Sequence, residues 1–334
     1  MAEKLILVTG ATGKQGGSLI ATLRPGATEQ TIPFRVLALT RNAGSHAAKQ
    51  LAQEKHVDVV EGNLDDEKSL RKVFDDAKAR GGIWGVFCVL AFPGLGANAD
   101  GEEKQGKTLA DLALEFGVSS FVFSSVERGG ESYDDKLDPD RRAKVQVERH
   151  IKDLGAKGLQ WTILRPGFFM ENFDGTIGAI TVGVLKAGLQ PTTTVPFIAA
   201  DDIGRVAGAV FKSPEPYRSQ ILVVVGDILT MQQMDEAYKA ATGQAIPSTP
   251  RLVALSLIKL NHHTQGVISD LERVHSTQSD PSHEKTVAQM NLARQAYPDM
   301  TSFQKWAERR KGKELKREKN WNQVSIGKLF MGKQ

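Results

Sequence analysis

The chain has 334 residues, 40% of them hydrophobic and 25% charged, with a formal net charge of +4. That balance is ordinary for a folded globular protein and excludes disorder as the starting assumption. No apolar run reaches the roughly 18 residues a membrane span requires, and the single cysteine, Cys88, cannot form an internal disulfide. The segment MAEKLILVTG has too short an apolar stretch and no small-residue cleavage site, so it reads as a first strand rather than a signal peptide. An intracellular, reducing compartment is expected: the cytoplasm, with the nucleus left open.

The charge is unevenly spread. Residues 301–334 carry ten Lys or Arg against three Glu, which makes that segment +7 and leaves about −3 on the first 300 residues. The run RRKGKELKREK at 309–319 is either a solvated extension or an element that attracts an acidic partner, nucleic acid or the import machinery. The rest of the chain has no comparable basic patch. Nucleic acid is therefore disfavoured as its main partner.

Short apolar runs alternate with helix-length amphipathic stretches over the first 165 residues. LILVTG (5–10), RVLALTR (35–41), VDVVEGN (57–63), WGVFCVLA (84–91), SSFVFSSV (119–126) and LQWTILRPG (159–167) read as strands buried on both faces. This rhythm predicts an α/β fold, a Rossmann-type doubly wound parallel sheet, over residues 1–165. After Pro166 the rhythm loosens. DDIGRVAGAVF (201–211) reads as a helix capped by Asp, ILVVVGD (221–227) as a further buried strand, and TMQQMDEAYKAATG as a helix with Thr in the capping position. The segment 201–227 is expected to return to the sheet, 166–306 to form a smaller mixed α/β lobe that binds a ligand or partner, and 307–334 to be a basic extension.

The glycine spacing Gly10-Ala11-Thr12-Gly13-Lys14-Gln15-Gly16 follows the first strand and opens a helix. Gly10 permits a tight turn, Gly13 lets the backbone approach a pyrophosphate, and Gly16 allows the helix to pack closely on the strand. The helix N-terminus then presents N–H donors and partial positive charge to the phosphates. At the end of the second strand stands Arg41, where a site for NAD carries Asp or Glu. A guanidinium suits a 2′-phosphate, and Lys14 offers a second cation, so NADP(H) is the expected cofactor. Asn63 and Leu64 are expected against the adenine, although Asp65 beside them serves equally well as a helix cap. Leu90, Ala91 and Phe92 are expected to line the groove.

GATGKQGGS, the TRN after the second strand, KQGKTLADLALEFGV, FVFSSVE, AKVQVERHI, LRPGFFMENF and the DDIG helix stand in the order and spacing of a known family. The chain resembles the NmrA-like family, an atypical branch of the short-chain dehydrogenases, over roughly residues 3–306. Members include negative regulators of fungal nitrogen metabolism, an animal NADPH sensor and oxidoreductases. The resemblance implies cofactor contacts at Gly10 to Gln15, Arg41, Lys144, and Phe169, Met170, Glu171 and Asn172.

Active short-chain dehydrogenases pair the helix lysine with a tyrosine four residues earlier, which protonates the substrate carbonyl. Here Asp140 stands four residues before Lys144, with Ser124 and Ser125 at the strand end and the nearest tyrosine, Tyr133, eleven residues away. Two functions stay open. One is a redox- or dinucleotide-sensing regulator that binds a partner protein. The other is an isoflavone-reductase-like NADPH-dependent oxidoreductase acting on a small hydrophobic molecule, with Lys144 as its catalytic group and Phe168, Phe169, Phe173 and Phe197 around the substrate.

Overall fold

The computed structural model describes residues 3–24, 34–90, 100–137, 139–281 and 283–311. In chain order the strands are β1 (Lys4–Val8), β2 (Phe34–Thr40), β3 (Val57–Glu61), β4 (Ile83–Cys88), β5 (Ser120–Ser124), β6 (Trp161–Pro166), β7 (Phe168–Phe169), β8 (Thr194–Ile198), β9 (Gln220–Val224) and β10 (Asp227–Thr230). They form two sheets. The larger has seven parallel strands in the order β3-β2-β1-β4-β5-β6-β9, and the smaller has the order β10-β8-β7. The crossover helices are α1 (Lys14–Leu23), α2 (His46–Leu51), α3 (Glu67–Lys78), α4 (Asp100–Glu115) and α5 (Pro139–Gly155). Later come α6 (Gly175–Gly188), α7 (Ala200–Lys212), α8 (Met231–Thr242), α9 (Arg251–Leu260), α10 (His262–Ser276), α11 (His283–Ala296) and α12 (Phe303–Glu308).

The large sheet is the expected doubly wound one. Its chain order reverses between β1 and β4, which opens a crevice at their C-terminal ends, the place where ligands of such sheets bind. One face packs on α3, α4 and α5 through Leu70, Phe74, Leu109, Phe121, Phe123 and Ile151. The other packs on α1 and α7 through Leu19, Phe87, Val122, Leu164, Val206 and Phe211. Cys88 lies in the first of these cores, fully buried, and burial pushes its thiol well above the usual range. It is a structural thiol, packed within the core.

Two elements differ from the sequence reading. Thr194–Ile198 has no strand assigned to it in that reading, and it contains Pro196, a residue that usually excludes a central strand. The structure makes it the middle strand of the small sheet, with Pro196 opposite Ile228 in the antiparallel pair β8–β10. The second difference is the start of α7. Its cap position is Ala199, whose side chain accepts nothing, and Asp202 points inward instead. Fully buried, Asp202 accepts from the Thr301 amide at 2.6 Å and from the Thr301 hydroxyl at 3.2 Å. Asp202 of the DDIG motif thus anchors the segment at Thr301 rather than capping its own helix. The glycine of that motif, Gly204, leaves α7 free to press on α1, since a Cβ there would meet the Leu19 amide at 2.4 Å.

The small sheet carries its own core, in which Met170, Phe173, Phe197, Phe303 and Trp306 cluster. α8 starts with the predicted Thr230 cap, completed into a capping box by Gln233. Thr230→Ala is expected to lower stability by about 1 kcal/mol, measured by urea unfolding.

Candidate functional site

The crevice is framed at its base by Thr9, a residue that sequence reasoning missed. Its buried hydroxyl donates to the Val89 carbonyl and accepts from the Val89 amide, both at 2.7 Å, which ties the ends of β1 and β4 together. Gly10 follows in the left-handed region, at φ +57°, so the chain turns sharply toward α1. Gly16 is buried under that turn. A Cβ on it would sit 2.4 Å from the Gly10 carbonyl and 2.8 Å from the Ala11 Cα, so only glycine fits. Gly13 is the cap of α1, makes no side-chain cap bond and has no acidic residue in the turn that follows. The first amides of α1 therefore point outward beside exposed Thr12 and Gly13.

Arg41 stands exposed just beyond β2, with no ion pair among the described residues. Lys14 lies 4.0 Å from Asp174, a carboxylate that Arg310 grips through two bonds of 2.7 and 2.9 Å. The phosphate-type loop is thereby linked to the end of α12. Asn63 is partly buried and its side-chain oxygen accepts from the Asp65 amide at 3.1 Å. The cap of α3 is Asp66, not Asp65, which instead accepts from Gln105. Leu64 packs at the edge of the core and Leu90 is buried within it. Ala91 and Phe92 lie outside the described residues.

Lys144 lies on α5 in an ion pair with Glu102 of α4, and Glu102 is 4% exposed. Nothing in the sequence singled out Glu102. The KQG motif one turn later offered the only signal, because Gly106 lets α4 approach Val147 of α5, where a Cβ would meet Val147 Cγ2 at 2.7 Å. Two serines, Ser124 and Ser125, stand at the end of β5. Ser124 turns toward α1 and donates to Gln15 at 2.7 Å. Ser125 is 5% exposed and its hydroxyl has no partner among the described residues. Tyr133 is 42% exposed and its ring lies under the Arg273 guanidinium, 4.9 Å from its centroid.

The FFMEN segment divides between two cores. Phe169 packs partly buried against the main core, and Asn172 is partly buried. Met170 is wholly in the small-sheet core, and Glu171 serves as a structural acceptor: it takes the Ala200 amide at 2.9 Å and the Trp306 indole N–H at 3.1 Å. Burial pushes the Glu171 carboxyl above the usual range. Phe173 and Phe197 belong to the aromatic core with Phe303, and Phe168 packs on its edge.

Beneath the crevice lies a charged network built on Arg128, which follows the SSVE motif, Glu148 of VERH and Arg165 of LRPG. Glu148 is 1% exposed and accepts from Arg128 at 2.8 and 2.9 Å and from Arg165 at 2.5 and 3.1 Å. Arg128 also holds Asp134, and Arg165 reaches Glu131. Burial alone would raise the Glu148 carboxyl, but the Arg128 hydrogen bonds and both guanidinium charges outweigh it and bring it down to about 2. Burial likewise opposes the drop at Glu131, where Lys152 and Arg165 bring the carboxyl to about 2. Among the described residues no cluster of His, Cys, Asp or Glu is set to hold a metal. No helix among them is long and apolar enough to cross a membrane.

The profile of the NmrA-like family matches residues 2–307. The chain belongs to the NmrA-like family. An NmrA-like family domain-containing protein of Dictyostelium discoideum is 26% identical over 255 residues, covering 73% of this chain and 79% of its own. An NmrA-like family domain-containing oxidoreductase of Aspergillus flavus is 28% identical over 270 residues, covering 75% of this chain and 76% of its own. Among solved structures, NmrA, a negative transcriptional regulator crystallised with NADP, superposes with a TM-score of 0.64 at 18% identity, covering 92% of this chain and 95% of its own. An NADPH-dependent quinone oxidoreductase of Escherichia coli, complexed with NADPH, gives a TM-score of 0.62 at 16% identity, covering 91% and 99%.

Proposed function

We propose that the chain binds NADP(H) in the crevice above β1, β4 and β5 and acts as a dinucleotide-responsive regulator of a partner protein. The observation that carries the reading is the uncapped start of α1 above the Gly10–Gly16 turn, an anion site that the protein's own side chains leave open. In this reading the amides from Gly10 to Gly16, with Ala11, Thr12, Lys14 and Gln15, hold the pyrophosphate. Arg41 takes the 2′-phosphate, Asn63 and Leu64 flank the adenine, and Leu90, Ala91 and Phe92 line the groove. Lys144 binds the nicotinamide ribose, and the backbone from Phe169 to Asn172 closes over the far end. Residues 1–165 with 201–227 make up the binding domain, 166–306 the lobe and 307–334 the basic extension. NmrA and the quinone oxidoreductase, each crystallised with a dinucleotide, support the cofactor class. The regulator role draws on NmrA and on the missing tyrosine at position 140.

Titration calorimetry with NADP⁺, NADPH, NAD⁺ and NADH tests the cofactor reading. NADP(H) is expected to bind more tightly than NAD(H), and tighter NAD⁺ binding overturns the assignment. Arg41→Ala should weaken NADP⁺ by about 10- to 100-fold, the worth of a charged hydrogen bond, and leave NAD⁺ unchanged. Retention of a protein partner that changes with NADP⁺ in a pull-down supports the regulator. Differential affinity of the cofactor for two conformations is its physical requirement.

A second reading, an NADPH-dependent oxidoreductase for a small hydrophobic molecule, is favoured by one arrangement: Lys144 held in an ion pair by buried Glu102. Bound NADPH would supply the hydride. Lys144 would hold the proton at Nζ, with Glu102 keeping that ammonium in place. The oxidoreductase names of the fungal relatives point the same way. NADPH consumption with quinones, enones or aldehydes that disappears in Lys144→Ala would establish it, and no turnover across the panel would remove it.

A further inference from the structure

We propose that Arg310, just beyond α12, is a positioning residue for the dinucleotide phosphates: by holding Asp174 it keeps Lys14 available to the pyrophosphate. The inference rests on the reading above, which sets Lys14 at that pyrophosphate, and deepens it by naming what tunes the affinity of the site. The family match ends at residue 307, so Arg310 lies outside it.

Asp174 stands where an acid works against the ligand. It occupies the cap position of α6, yet its side chain makes no cap bond. Its carboxylate lies 4.0 Å from the Lys14 ammonium, and Lys14 is the first residue of α1, whose open amides form the anion site. A carboxylate in that place repels a phosphate and competes with it for Lys14.

Arg310 removes the competition. Its Nε donates to Asp174 Oδ1 at 2.7 Å and its Nη2 to Oδ2 at 2.9 Å. Both carboxylate oxygens are thereby engaged in the two-pronged geometry that a guanidinium favours, and Lys14 stays beyond hydrogen-bond distance. Lys14 and Asp174 alone sum to no charge. Arg310 supplies the positive excess that an anion site needs.

The guanidinium is held in place without any ligand. It stacks on the Trp306 ring, 3.8 Å from the centroid, and Nη1 donates to the Trp306 carbonyl at 3.3 Å. Trp306 is 2% exposed and pinned through its indole N–H to Glu171. Glu171 lies 3.6 Å from Arg310 as well. Its carboxyl, raised first by burial, also feels the charges of Arg310 and Lys14, which gathers the two cations around one pair of acids. A side chain fixed beforehand loses little freedom when the ligand arrives.

An electrostatic role and a mere anchor for α12 predict different outcomes. If the pair only ties down the chain, removing either partner costs the same. If Arg310 acts by neutralising Asp174, the two substitutions differ in direction, and the second one repairs the first.

Calorimetric titration of NADP⁺ into the wild type, Arg310→Ala, Asp174→Asn and the double variant separates the two. Arg310→Ala frees Asp174 to pair with Lys14 and should weaken NADP⁺ by about tenfold. Asp174→Asn keeps a side chain equally suited to the cap position of α6 and should bind at least as tightly as the wild type. The double variant should return to within about twofold of Asp174→Asn. Unchanged affinity in Arg310→Ala overturns the assignment, and so does an Asp174→Asn loss as large as that of Arg310→Ala. Should Arg310→Ala fail to fold, Arg310→Gln, whose stem still covers Trp306, takes its place in the same comparison. A wild type that binds no NADP⁺ removes the cofactor reading and this inference with it. Tight wild-type binding that neither substitution alters removes the role of Arg310 alone.

Discussion

Glu148→Gln is expected to lower the unfolding free energy by about 3–5 kcal/mol, the usual effect of removing one member of a buried ion network. The change leaves Arg128 and Arg165, both 1% exposed, with two positive charges and no shared anion. An amide of the same shape keeps the volume but not the charge, so the loss is electrostatic rather than a packing defect. Urea unfolding at neutral pH measures it. A change below about 1 kcal/mol would show that the network contributes little net stability.

The same network sets an acid limit. Glu148 and Glu131 are held near 2 in the folded protein against an ordinary value of 4.5. A depressed folded-state value means the ionised pair stabilises the fold above the unfolded pKa. That stabilisation is fully present above about pH 4.5 and drains away as pH falls from there toward 2. Melting temperatures measured across that window should fall steeply in the wild type. They should fall less steeply in Glu148→Gln, which has lost one of the two titrating groups.

Gly16→Ala is expected to abolish high-affinity NADP⁺ binding, by at least about 100-fold, because the loop that presents the amides must move. The added methyl would lie 2.4 Å from the Gly10 carbonyl and 2.8 Å from the Ala11 Cα, both backbone atoms that cannot swing aside. Overpacking of this kind also lowers stability by about 1–3 kcal/mol. The neighbouring glycine supplies the control. At Gly17 a Cβ would meet nothing nearer than the Ala11 carbonyl at 3.9 Å. Gly17→Ala should therefore leave NADP⁺ binding intact and raise stability by about 0.5–1 kcal/mol through helix propensity. Calorimetry on the two variants side by side separates a loop-geometry effect from a general effect on α1. Equal NADP⁺ affinity in both would contradict the role given to Gly16.

Much of this protein was legible without its structure. The parallel sheet could be read because strands buried on both faces leave continuous apolar runs, as in LILVTG and SSFVFSSV, and helices between them leave a different period. The glycine loop was legible because its requirement is local: a positive φ at Gly10 and a contact within one turn at Gly16 depend on residues a few positions apart. Thr230 is legible for the same reason, since a capping box spans only four residues.

What the sequence could not disclose are pairings between distant positions. Glu102 and Lys144 are 42 residues apart, and Thr301 and Asp202 are 99 apart. Asp202 looked like a local cap because an acidic residue at a helix start has that chemistry, and only the return of the chain at Thr301 offers it a better donor. Ser124 and Ser125 are chemically identical in sequence. Only the tertiary structure gives Ser124 its partner, Gln15, 109 residues away. The side chains of Met170 and Glu171 are core and anchor because Phe303 and Trp306, more than 130 residues further along, pack over them. Local backbone demands are written in neighbouring residues, whereas the partner of a buried charge is chosen by whichever distant segment the completed fold brings within reach.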